Sequence, residues 1–99
     1  MSFVTTQPEL LAAAADHLDG IGSALVAQNA AAALPTTGVV PAAADAVSAL
    51  TATQFGAHAA VYQTVSAQAA AVHEMFVRIL GASAGSYAAT EAANTIDAG

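Results

Sequence analysis

Three histidines and seven carboxylates are the obvious material for acid–base or metal chemistry in this cysteine-free sequence. His17 lies in DHLDG, between Asp16 and Asp19, while His58 and His73 stand fifteen residues apart. On one helix that separation is roughly 22 Å of axial rise, so those two cannot share a local site. No HxxxH or HExxH spacing occurs, which removes the helical zinc pattern. Asp16 and Asp19 fall one turn apart, but a pair of helices encloses no pocket around them, and they read as solvated acids. There is no GxSxG elbow and no glycine-rich phosphate loop after a strand. These residues predict no catalytic site, no metal and no cofactor. His58 sits on an apolar stripe and reads as a polar residue setting register at a helix seam. The stretch SYAATEA is different, because it puts Tyr87 and Glu91 four positions apart. On a helical turn they share one face and can be recognised together.

Composition narrows the partners. The net charge is −6 and Arg78 is the only Lys or Arg. Nucleic acids and anionic membrane surfaces are bound through basic clusters, so neither is an expected partner. No basic region precedes LLAAAA as a secretory signal would require. Asp16, His17 and Asp19 interrupt the first apolar run, and Gln54, His58, Gln63 and Gln68 the second, so no membrane span is expected. Regularly spaced threonines on a flat face would suggest ice binding. Thr53 and Thr64 are eleven apart, but Ala42 and Met75 break the series.

The elements that must carry these residues are helices. Hydrophobic residues make up 57% of the sequence, and much of that share is alanine, which favours helix while filling little core. Thr6 and Glu9 have capping-box spacing, with Pro8 in the first turn. Leu11, Ala14, Leu18, Ile21, Leu25 and Ala32 then mark a stripe in three- and four-residue steps. Gly20 and Gly22 on this helix suit close helix contact. LPTTGVVP breaks the pattern, Pro41 opens a second helix, and Asp45 lies near its positive end. A short connection of this kind predicts an antiparallel hairpin.

On the second helix Val47, Leu50, Gln54, His58, Val61, Val65, Val72, Met75 or Phe76, and Ile79 trace one stripe. Phe55, Tyr62 and Phe76 widen it. A hairpin covers one seam per helix, so the excess calls for a partner. The predicted domain covers residues 1–85, with helices over about 7–34 and 41–80. Gly81 and Gly85 are expected to end or fray the second helix. Residues 86–99 would then be a flexible tail carrying Tyr87 and Glu91. The fold class is all-α: an antiparallel two-helix hairpin.

These features together resemble the PE family of mycobacteria. The residues concerned are MSFVTTQPE with Pro8-Glu9, the GVVPAAADAVSAL entry to the second helix, and Tyr87-x-x-x-Glu91 beyond it. The resemblance runs the whole length, so the chain looks like a PE domain with almost nothing appended, and no further enzyme or repeat domain is expected. It implies a heterodimer in which the hairpin completes a four-helix bundle with a PPE-family partner. It also implies an EspG-type chaperone gripping the PPE subunit, and export through a type VII (ESX) secretion system. Tyr87 and Glu91 would be the export signal, and the chain would act at the cell surface or outside the cell in host interaction. The partner-facing residues are then expected among Leu11, Leu18, Ile21, Leu25, Val47, Leu50, Phe55, His58, Val61, Tyr62, Val65, Val72, Phe76 and Ile79. The alternative is a hairpin that pairs with itself as a homodimeric four-helix bundle with a binding role.

Overall fold

The computed structural model describes residues 5–99 as two α-helices, α1 (Pro8–Thr37) and α2 (Ala46–Ala98), with no strand among the described residues. The chain is an all-α helical hairpin. It divides into two compact units. One is the turn unit, Ser23–Val72. The other joins, among the described residues, 5–22 to 73–99.

Alanine and long-chain residues carry α1 without a β-branched run, and Pro8 occupies its first position, where a missing N–H is harmless. The capping box does not form. Leu10 and Leu11 donate their backbone N–H groups to the Gln7 carbonyl, and the Thr6 hydroxyl turns away to the Glu91 carboxylate at 3.1 Å. The helix also outruns its predicted end at residue 34, because Pro35 is tolerated inside the last turn. Proline forfeits one hydrogen bond, to the Ala31 carbonyl, while the Thr36 and Thr37 hydroxyls donate to the Ala32 and Ala33 carbonyls of the same turn. The Thr37 hydroxyl donates to the Ala33 carbonyl at 2.7 Å, and Gly38 N–H to Leu34 at 2.9 Å.

The second helix starts five residues later than Pro41 suggested. Asp45 is its N-cap. One carboxylate oxygen accepts the Ser48 N–H at 3.1 Å and the other accepts the Ser48 hydroxyl at 2.7 Å. This satisfies one of the orphan donors at a helix start. The Ser48 hydroxyl first, and then its backbone N–H, hold the Asp45 carboxyl below its ordinary pKa.

α2 continues to Ala98, where the sequence pattern predicted an end near residue 80 and a flexible tail beyond. Gly81 and Gly85 remain helical, and no glycine adopts a positive φ. Alanine on both sides offsets the cost of about 1 kcal/mol that each glycine brings relative to Ala.

A single rule governs how the helices meet. Along α2 the covered positions Ala52, Gly56, Ala59, Gln63, Ser66, Ala70, His73, Val77, Leu80 and Ala84 follow alternating steps of four and three, with Ser48 and Ser83 half-buried beside that series. That is a coiled-coil seam. On α1 the corresponding positions are Pro8, Leu11, Ala15, Leu18 and Gly22 in one unit, and Asn29 and Ala32 in the other. The four most buried residues are all alanines: Ala15, Ala52, Ala59 and Ala84.

Candidate functional site

A seam of small residues brings two backbones close, and polar groups fix where they stop. In the turn unit, the Tyr62 hydroxyl donates to the Asn29 side-chain oxygen at 2.8 Å, and the Gln63 amide donates to the Asn29 backbone carbonyl at 3.0 Å. A Cβ on Gly56 would fall 2.9 Å from the Thr37 carbonyl oxygen, so only glycine fits there unshifted. In the other unit, the His73 ring lies over Gly22, where a Cβ would come within 2.6 Å of it. His73 Nε2 meets the Leu18 carbonyl at 2.7 Å and, facing an acceptor, must carry the proton. Close contact at Gly22 follows the expectation for that glycine. Gly20 has open space around it instead.

Most of the large apolar side chains lie outside this seam, with Leu11, Leu18, Val77 and Leu80 the half-buried exceptions. Moving the α2 seam positions from Gly56 to Leu80 back by one residue gives Phe55, His58, Tyr62, Val65, Ala69, Val72, Phe76 and Ile79. One residue is about 100° of rotation, so these residues form a second seam on the adjoining face, with the same four–three spacing. All are exposed. In the turn unit, Phe55, His58 and Tyr62 line an open groove of about 310 Å³ with Pro35, Thr36 and Val39. A helix carrying two long seams at right angles needs two neighbours, and this chain supplies one.

The expected partner-facing residues therefore divide. Phe55, His58, Tyr62, Val65, Val72, Phe76 and Ile79 share the second seam. Leu11 and Leu18 are half-buried at positions of the inner seam. Leu25 falls at a seam position yet is exposed, as is Ile21 beside it. Val47, Leu50 and Val61 are exposed but belong to other sides of α2.

Tyr87 and Glu91 lie within α2, not past its end, and they continue the inner seam beyond Ala84 by steps of three and four. Both are exposed, and the Glu91 carboxylate accepts the Thr6 hydroxyl. Glu9 lies exposed in the first turn of α1, beside Pro8. Among the described residues, no three of His, Asp and Glu gather as a metal site.

The family model for the PE family matches residues 4–94. The chain is 69% identical over 94 residues to PE family protein PE13 of Mycobacterium tuberculosis, covering 95% of each. The chain belongs to the PE family. Over 94 residues it is also 63% identical to the PE-PGRS family protein PE_PGRS33 of the same species, where it spans only about a fifth of the relative's length. Against PE family protein PE8 the figure is 58% over 95 residues, about a third of that protein.

In this PE chain the polar pins Asn29 and Gln63 and the register glycines Gly22 and Gly56 hold the hairpin together. Asn29 was not singled out from the sequence. The four–three spacing of the inner seam was the available signal, but it runs through alanines that do not stand out from their neighbours. One further point concerns α1. By length and composition alone it is apolar enough to cross a membrane, with a mean hydropathy of 1.3 over 18 residues. The expectation of no span rested on Asp16, His17 and Asp19, which such a measure tolerates. Much of that apolar content is exposed in the hairpin, with Leu10, Ile21, Leu25, Val26 and Leu34 facing solvent.

Proposed function

We propose that this PE chain is the non-enzymatic half of a heterodimer with a PPE-family protein, whose helices lie along the second seam of α2 and complete a four-helix bundle. The observation that carries this reading is the exposed stripe from Phe55 to Ile79, spaced like a coiled-coil seam about 100° round from the one α1 occupies. Four-helix bundles are built from helices that each face two neighbours. The buried interior of the hairpin is alanine, whose transfer contributes little, whereas a Phe or Ile buried against a partner contributes about 1.5–3 kcal/mol. The chain thus keeps most of its hydrophobic driving force for a partner.

The same proposal assigns Tyr87 and Glu91 to export through a type VII (ESX) system, with an EspG-type chaperone acting on the PPE subunit. It places the assembled pair at the cell surface or outside the cell, in contact with the host. Support comes from the family and from the pair's exposure on one helical face, four residues apart. Co-expression with candidate PPE proteins tests the pairing: the chain should co-purify with one as a stoichiometric heterodimer. A soluble homodimer indifferent to every such partner would favour self-association instead.

A further inference from the structure

Charge is distributed very unevenly between the two units. The turn unit, Ser23–Val72, holds one formally charged side chain, Asp45, which is occupied in capping α2. The other unit holds Glu9, Asp16, Asp19, Glu74, Arg78, Glu91 and Asp97. Around the turn, the apolar side chains also leave the helix pair on opposing sides. Leu34 is midway between Ala32 and Thr36 on α1, on the side away from α2, and is 83% exposed. Val47, near the start of α2, and Val61, between seam residues Ala59 and Gln63, are also strongly exposed. Val40 is at the turn itself, 82% exposed.

A helical partner lying along one side of the hairpin covers one face. It leaves Leu34, Val40 and Val47 in water. A lipid layer surrounds whatever enters it, and it penalises charge while asking only that backbone groups be bonded internally, as helices do. We infer that the turn of the hairpin docks into an uncharged lipid surface, with Leu34, Val40 and Val47 seated at the boundary of headgroups and acyl chains. The depth is that of an interfacial insertion, about 5–10 Å, and not a span. With no Lys or Arg in this unit, binding owes nothing to anionic headgroups, and Asp45 near the surface makes them unfavourable. The inference does not depend on the identity of the helical partner, because the residues it uses lie off the second seam.

The chain contains no tryptophan, so Val40→Trp gives a single reporter. The full-length chain carrying it, alone or with its co-purified partner, is mixed with phosphatidylcholine vesicles bearing brominated acyl chains. Quenching of the tryptophan and flotation with the vesicles are expected, unchanged by added salt and reduced by phosphatidylglycerol. Ile96→Trp, reporting from the other unit, should bind equally and remain unquenched. Leu34→Asp with Val40→Asp should lower the floated fraction at least about tenfold with helix content unchanged. Equal quenching at both reporters, or no flotation, overturns the inference. So does loss of a protein partner by the Leu34→Asp/Val40→Asp variant in a chain whose parent ignores vesicles, which would make the turn a protein contact.

Discussion

Asp45 ties the start of α2 with both carboxylate oxygens, and the chemistry of that cap has a sign. Its pKa is lowered by hydrogen bonds from Ser48, so its contribution is complete above the unfolded carboxylate value and is lost as pH falls through the folded one. Thermal melts of Asp45→Ala should therefore lie below wild type at neutral pH, with the gap closing in acid. A gap that is independent of pH would contradict the cap. The glycines give a paired test. Gly20→Ala meets nothing and should gain up to about 1 kcal/mol from helix propensity, whereas Gly22→Ala must displace the His73 ring and lose that gain. Equal shifts in the two melting curves would mean that His73 does not sit where it is described. Tyr87→Ala and Glu91→Ala remove exposed side chains from a continuous helix, so each should move stability by no more than about 0.5 kcal/mol. Both should leave partner pulldown from the cytosol intact while export fails. Normal export of either variant would make the pair a coincidence of spacing.

At the scale of elements, α2 is a helix with two seams. Phe55→Asp or Phe76→Asp puts a carboxylate where a partner would have to desolvate it, at a cost of several kcal/mol. Heterodimer yield should fall at least tenfold at an unchanged expression level of the chain. Val61→Asp, on a different face, should be tolerated better, and equal losses at all three positions would misplace the second seam. Much of this element was readable in advance: its helical type, its apolar excess, and most of the second-seam residues stand out because they are large. The inner seam did not stand out, because alanine, glycine and serine carry no contrast in an alanine-rich helix. The helix ends were misjudged for a related reason. Pro35, Gly81 and Gly85 are breaker residues by propensity, but each is outweighed by the helical run around it. Leu11 and Leu18 are half-buried at the inner seam, and a stripe alone does not reveal which of two neighbours covers a residue.

At the scale of the whole molecule, nineteen large apolar side chains are exposed and only four residues, all alanines, are buried among the described residues. Folding costs about 1–2 kcal/mol of backbone entropy per residue, and a core of alanines offsets little of that. On the proposed reading, a partner completes a hairpin of this composition. The most direct measurement is therefore a comparison of the chain expressed alone with the chain co-expressed with PPE-family candidates, by sedimentation and by thermal unfolding followed by circular dichroism. The account predicts an aggregated or broadly melting chain alone, and a one-to-one complex with a single cooperative transition when the right partner is present. A soluble, cooperatively melting monomer, with its exposed second seam stable in water, would contradict it.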